Sequence, residues 1–430
     1  MLPNKAHFID CVKTLLKSTT KSVNSYEFSA MSAMLSQVTG ISVDDDMATY
    51  HDVKTDAGIA ISPVKAAKCF QEVIRTKVFL QGVNEAISQR LKAIKNDTLH
   101  VLYAGTGPYG AILLPLLPLF SGQKVTVHCI DIHRANIEAL KKVIAWLEIR
   151  DLVVGVDLAD AKQWRPDKGQ LPLFDLIISE TMNTFLQREP QVRIFAHLCQ
   201  FLKREGTLIP QEIRTSVELN RVCDEKEEIY RKDLLVLNVK SCRRIARGKD
   251  EDFKHEVVLP ASDKLYQHMS LNTDIQVYQS HHLGLGQSSL NLQHSRTGLA
   301  AEAGQVVKFE YKLTDSPYWE IDIPNAFESL DLCSINDQGT LGLYYLARFW
   351  DKYRRLAFEY YDTTLAKTEF ELDIKLAALV GVNLQVLMAK ALEFMSSFNA
   401  FEAWVDSHVG SISTDAIDRF NGECTKFQVQ

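Results

Sequence analysis

Two glutamates nine positions apart, Glu180 and Glu189, are the most informative residues of the chain. Glu180 ends an apolar run, Phe174-Asp175-Leu176-Ile177-Ile178-Ser179, and Glu189 returns after a short excursion through Met182, Asn183 and Phe185. Two carboxylates facing one cavity raise each other's pKa and stay ionised together only when a cation lies between them. A guanidinium suits that place, being planar, permanently charged and forked. Each glutamate also has a plainer reading: Glu180 as a strand-end residue capping the next helix, Glu189 as a first-turn glutamate favoured by the helix dipole before Pro190. Upstream, Gly105-Thr106-Gly107-Pro108-Tyr109-Gly110 follows an apolar run. Glycines at 105, 107 and 110 let the chain turn sharply and let a ligand approach the backbone, although an ordinary strand-to-helix turn has the same spacing. The next apolar run ends in Asp131, and a carboxylate there suits two ribose hydroxyls, as in NAD or S-adenosylmethionine. Asp160, after a third run, is placed to accept from an adenine amino group or to cap a helix.

These residues need a scaffold that brings strand ends together. Short β-branched runs alternate with helical patterns: strands at 99–104, 125–130, 152–156, 174–179 and from 207, helices after Gly110, at 135–147 and at 192–202. Such alternation with apolar strands predicts a parallel sheet covered on both faces, with ligands at the carboxyl edge. Two amphipathic helices within residues 1–38 precede it, with 44–56 as a solvated loop, and a helix from Ser62-Pro63 carries the stripe Ala66, Phe70, Val73, Ile74 and Val78. After about 213 the pattern turns to strands without long helices (213–219, 234–239, 306–314, 341–347), with 243–256 as a charged loop. From about 370 it is helical again, one helix following Ser397. The fold class expected is therefore α/β: a Rossmann-like doubly wound sheet followed by an antiparallel β domain and a C-terminal helical module. The divisions are 1–61 (N-terminal helices covering the site), 62–212 (cofactor-binding), 213–365 (β-rich, barrel-like, substrate) and 366–430 (helical).

Composition excludes several classes. The chain has 430 residues, 46% of them hydrophobic and 24% charged, with only 20 glycines and 12 prolines, so it is neither collagen-like nor linker-rich. A formal charge of −6 argues against nucleic acid as the main partner and is compatible with a site that holds a cation. The strongest apolar stretch, 111–120, is too short to span a bilayer and contains Pro115 and Pro118. No signal-peptide pattern opens the chain, and the eight cysteines never form a CxxC pair, so a reduced, cytoplasmic protein is expected. His281-His282, His268 and His294 fit no metal motif, and no metal is expected.

The stretch 174–189 resembles the double-glutamate loop of protein arginine methyltransferases in strand position, in spacing and in the helix that follows. The run Leu202-Lys203-Arg204-Glu205-Gly206-Thr207-Leu208-Ile209-Pro210 resembles that family's passage into its β domain. Ile74-Arg75-Thr76, with Phe79 and Ala86-Ile87, resembles the family's helix whose arginine holds the cofactor carboxylate. The likeness covers about 62–220 and describes a divergent member: Tyr103 stands where an acidic residue is usual, Asn183-Thr184 replaces Gly-Tyr, and Ser316-Pro317-Tyr318-Trp319-Glu320 lacks the histidine of a Thr-His-Trp loop. The resemblance implies a class I methyltransferase using S-adenosyl-L-methionine, bound by Arg75, Gly105, Thr106, Gly107, Gly110, Asp131 and Asp160. It implies Glu180 and Glu189 as catalytic residues gripping a guanidino group of a small molecule or a protein. It also implies a homodimer, without an evident dimerisation arm. Arg75 has a plainer reading as a structural ion-pair partner. Methylation of another small-molecule nucleophile, or a non-catalytic methyltransferase-like protein that binds a partner, are the other functions this scaffold admits.

Overall fold

The computed structural model describes residues 2–19, 24–46, 50–95, 97–166, 173–220, 230–249, 251–259, 266–301, 304–322, 341–356, 367–394 and 397–408. Its centre is a parallel sheet of β3 (Leu99–Ala104), β4 (Val125–Asp131), β5 (Val153–Leu158), β6 (Phe174–Ser179) and β7 (Leu202–Ile209), in spatial order β5-β4-β3-β6-β7. Register pairs such as Tyr103 with Cys129, and Tyr103 with Ile178, run parallel on both sides of β3. The strand order reverses between β3 and β6, so the carboxyl ends of these two strands open the crevice where doubly wound sheets bind ligands. Every residue of β6 is buried, as a strand covered on both faces requires.

Helices α3 (Pro63–Cys69), α4 (Val73–Ile94), α5 (Arg134–Leu147) and α6 (Gln191–Leu198) flank the sheet. The single helix expected from Ser62 is divided at Phe70–Glu72, which starts α4 at the site instead of leading past it. Ser62 caps α3 and Pro63 takes its first turn, where a missing N–H costs nothing. The segment after Gly110 is not an α-helix either. Pro115 and Pro118 each lack an amide donor, and residues Leu114–Phe120 close into a 3₁₀ turn.

The two N-terminal helices, α1 (Lys5–Lys17) and α2 (Ser25–Thr39), dock on the outside of this layer. Gln81 donates to the Leu15 and Ser18 carbonyls (2.9 and 2.8 Å), Trp146 to that of Pro3 (3.1 Å) and Lys142 to that of Thr39 (2.7 Å). They contribute no wall to the site. That part falls to a hairpin of β1 (Val53–Thr55) and β2 (Gly58–Ala60), whose first strand and tip lie in the stretch 44–56 expected to be a solvated loop.

Beyond the cis Ile209–Pro210 peptide the chain enters an antiparallel half. Strands β8 (Glu212–Asn220), β9 (Tyr230–Leu237), β11 (Tyr266–Tyr278), β12 (His281–Leu283) and β13 (His294–Ala301) form one sheet; β10 (Lys254–Val258), β14 (Val306–Lys312) and β15 (Tyr318–Asp322) form a second. The stretch 243–256, expected to be a charged loop, instead holds the end of helix α7 (Val239–Ile245) and the start of β10. One continuous hydrophobic core runs from Phe8 to Trp319 through both halves. A second core joins α8 (Leu341–Leu356), α9 (Lys367–Leu379), α10 (Leu384–Glu393) and α11 (Phe398–His408). Residues 341–347 are thus helix and not strand: Leu346, Phe349, Trp350 and Tyr353 bury one stripe at helical period. Among the described residues no single helix is long and apolar enough to cross a membrane, and no three His, Cys, Asp or Glu side chains gather as a metal would require.

Candidate active site

A cavity opens at the carboxyl ends of β3, β4 and β6, and Arg75, Gly105, Thr106, Gly107, Asp131, Asp160, Glu180 and Glu189 all line it. Gly110 stands behind it, packed against Leu114 and Leu140. Gly105, Gly107 and Gly110 have φ of 72°, 61° and 58°, a left-handed turn that other residues enter at a cost of about 1–2 kcal/mol. A side chain at 105 would also run into the Thr181 methyl, so this turn lies directly beneath the β6 loop.

Asp131 is buried and holds the turn together. One of its carboxylate oxygens accepts from the Gly107 amide (2.9 Å) and, more distantly, from the Thr106 hydroxyl (3.4 Å). The other accepts from the His133 amide (2.8 Å) and the Asn136 side chain (3.0 Å). A ribose contact would have to take over the long Thr106 bond, the weakest of the four. Asp160 accepts from the Lys162 amide (3.0 Å) and pairs with its ammonium (3.5 Å), so it does cap a turn while it also faces the cavity.

Arg75 is buried in the first turn of α4. It donates to Glu72 (2.9 Å) and makes a short ion pair with Glu180. Burial works against its charge, but Glu180 and then Glu72 outweigh that and raise its pKa. Glu72 in turn accepts from the amide (2.8 Å) and hydroxyl (2.7 Å) of Ser289, on the turn between β12 and β13. Burial pushes the Glu72 carboxyl up, yet Arg75 and Ser289 hold it below the usual range. The two halves of the molecule are therefore tied across the cavity through Ser289, Glu72, Arg75 and Glu180.

Only one Glu180 oxygen is engaged. The other, Oε1, is buried with no hydrogen-bond partner among the described residues. Nε2 of His133 and Oδ1 of Asn136 are in the same condition and line the same cavity. Unsatisfied buried polar atoms cost about 1–3 kcal/mol each; three of them around one cavity mark a place for a polar ligand. Glu189 faces this space with its pKa pushed up to about 8, by burial first and by Glu180 second, against the pull of Arg75 and Arg188.

The loop that carries Glu189 is held in a costly conformation. Phe185, Leu186 and Arg188 all have left-handed φ, of 56°, 56° and 66°. Non-glycine residues persist there only where their surroundings over-determine them. Thr273 accepts from the Phe185 amide (2.8 Å), Trp319 donates to the Phe185 carbonyl (3.1 Å), and Tyr311 donates to that of Leu186. The Arg188 amide donates to Pro317 (2.7 Å), and the Arg188 carbonyl accepts from Ile59 in β2 (2.7 Å). Gln191 fixes the other end, accepting from the amide (2.8 Å) and hydroxyl (3.0 Å) of Thr181.

The structure thus brings eight of the nine sequence-selected site residues to one cavity wall and leaves Gly110 in support. It adds residues that spacing did not single out: Glu72, Ser289, His133, Asn136 and Lys162. The run 316–320, noted only for its missing histidine, supplies Trp319 and Pro317 as anchors of the glutamate loop. Those partners lie as far as 217 positions apart, where no local pattern could link them.

No protein-family profile matches the chain. No curated protein matches it either. Solved structures do: the Trypanosoma brucei PRMT1 enzyme–prozyme heterotetrameric complex with AdoHcy aligns with 58% of this chain and 92% of its own, at 15% identity and a TM-score of 0.37.

Proposed function

We propose that the chain is an S-adenosylmethionine-dependent N-methyltransferase acting on a guanidino group. The observation that carries this reading is the pair Glu180 and Glu189 on one cavity with the glycine turn, one oxygen of Glu180 unpartnered among the described residues and the Glu189 carboxyl pushed up by burial and by Glu180.

The residues present fit the cofactor. The left-handed glycines leave a backbone surface without Cβ atoms, Asp131 and Asp160 face the cavity, and His133 and Asn136 offer unsatisfied polar atoms to an adenosine. S-adenosylmethionine supplies, when bound, an activated methyl group on a sulfonium. The chain's own part is alignment, since a positioned nucleophile removes most of the entropic barrier to an in-line displacement. Arg75 has one guanidinium to share between carboxylates, Glu72 and Glu180 now, and a cofactor carboxylate in the bound state. Glu180 and Glu189 grip the acceptor guanidinium from two sides. Their charge draws positive charge onto the far nitrogens and leaves the attacking nitrogen richer in electrons, an interaction that grows toward the transition state. An acceptor cation also pulls the Glu189 carboxyl into its ionised form, so binding below about pH 8 expels a proton.

Radiolabelled methyl transfer to free arginine, to an arginine-rich peptide and to a cell lysate tests the reading. Label on a guanidino nitrogen supports it, and label on another nucleophile replaces the acceptor. Bound S-adenosylhomocysteine with no labelled product in any assay favours a partner-binding protein. Glu180→Gln and Glu189→Gln are expected to lose turnover while still binding S-adenosylhomocysteine; full activity in either refutes the clamp.

A further inference from the structure

A second cleft lies on the other side of Lys162 from the candidate active site, between α6, α7 and the tip of the β1–β2 hairpin. Among the described residues its charged lining is Lys162, Arg193, Arg243 and Arg247, against a single carboxylate, Asp56. Four cations to one anion is a strong local excess in a chain whose formal charge is −6.

The cations are unequally used. Lys162 is paired with Asp56 and Asp160. Arg243 donates to the Lys203 carbonyl (3.3 Å). Neither Arg193 nor Arg247 makes a side-chain hydrogen bond or ion pair among the described residues. The floor adds no negative charge: burial pushes the Cys199 thiol up to about 11, against the pull of Arg243 and Arg247. His197 is tied into the wall, its Nε2 donating to the Trp164 carbonyl (2.7 Å) and its Nδ1 beside the Gln200 side chain (3.1 Å). Cations at the carboxyl end of a helix offset its dipole, which accounts for Arg243 in the last turn of α7; Arg193, in the first turn of α6, has no such role.

We propose that this cleft binds a phosphate-class anion, held by Arg193 and Arg247 with Arg243 and Lys162 beside them. Guanidinium forks match the tetrahedral oxygens of phosphate, and a cluster of cations in which two guanidiniums lack a counter-ion among the described residues is the field that attracts it. Asp56, on an exposed hairpin tip, is the internal competitor: it already holds Lys162, and Arg193 lowers its pKa from a distance. An anion in the cleft takes over Lys162 and frees the hairpin whose other strand closes the candidate active site through Ile59.

The test titrates the full-length protein with inorganic phosphate, with pyrophosphate and with phenyl phosphate, each by calorimetry and melting temperature against sodium chloride of equal ionic strength. Wild type is expected to bind pyrophosphate at least about tenfold more tightly than the Arg193→Gln/Arg247→Gln variant, one lost charge-assisted contact being worth about that factor. Asp56→Asn is expected to bind several-fold more tightly than wild type. Tighter binding of phenyl phosphate than of inorganic phosphate points to a phosphorylated organic ligand; the reverse points to free phosphate. Equal affinity in wild type and double variant, with both equally folded by circular dichroism, overturns the site, as does a chloride response equal to that of phosphate. Unchanged affinity in Asp56→Asn overturns the competition with the hairpin.

Discussion

Replacing Glu189 by glutamine should make the protein more stable, by an amount that depends on pH. Folding places this carboxyl beside Glu180 in a buried loop and moves its pKa from 4.5 to about 8. Between those values the unfolded chain has lost the proton and the native chain keeps it. The native state then binds one proton more, so stability falls as pH rises, by about 1.4 kcal/mol per unit for this one group. The loss starts near pH 4.5, continues to about pH 8 and is complete above it. Its upper bound over that interval is about 4–5 kcal/mol. Glutamine has the shape of the protonated acid and no charge to desolvate, so Glu189→Gln removes this slope. Urea unfolding of wild type and variant from pH 5 to 9 measures it: the variant's advantage should widen toward pH 8 and then level. Saturating L-arginine, if it enters the clamp, ionises Glu189 in the native state and abolishes the slope in wild type alone. A stability difference constant across the pH range would refute the reasoning, because it would mean that Glu189 titrates alike in both states.

Three further substitutions probe the supports of the site. Gly105→Ala should cost about 1–2 kcal/mol from its φ alone, and more from the collision with Thr181; a denaturation midpoint partly restored by adding Thr181→Ser, which deletes the colliding methyl and keeps the hydroxyl, checks the cause. Tyr311→Phe leaves the buried Leu186 carbonyl without its donor and should cost about 1–3 kcal/mol; a midpoint equal to wild type would show that Tyr311 does not hold the loop. Glu72→Gln keeps an acceptor for Ser289 but removes one of the two carboxylates on Arg75, an expected loss of about 1.5–3 kcal/mol. Hydrogen exchange of the 284–291 turn should rise in that variant, and unchanged protection would argue against Glu72 as the tie between the two halves.

What the sequence shows of this molecule follows the reach of each signal. The central strands are short apolar runs with turn residues between them, and the β6 run from Phe174 to Ser179 is read to the residue. Glu180 is legible because it is the first charge after that run, and the glycine turn because left-handed backbone selects glycine. Residues 341–347 mislead because Leu341, Leu343 and Tyr345 alternate over a window shorter than two helical turns; the helical stripe becomes visible only through Tyr353. The 3₁₀ turn after Gly110 has helical hydrophobicity, and its two prolines override it. The β1–β2 hairpin has three residues per strand, too few for any periodicity. Residue type and position nominate Asp131 for ligand contact, and the family resemblance nominates Arg75. The structure adds that Asp131 already binds the turn and that Arg75 already binds Glu180, facts that depend on tertiary distances no spacing encodes.

The left-handed run at Phe185, Leu186 and Arg188 has a consequence for the order in which the protein is made. Its anchors Thr273, Tyr311, Pro317 and Trp319 all lie later in the chain. While a ribosome has delivered only the parallel sheet, Ile59 alone of the distant partners is present to hold the loop's unfavourable backbone. Domains begin to fold as they emerge, so the sheet and its glycine turn can be in place while the loop that carries Glu189 still lacks most of its support. The last strands of the antiparallel half complete the support of the loop: a chain made only as far as the parallel sheet carries the glycine turn without Thr273, Tyr311, Pro317 and Trp319 behind Glu189.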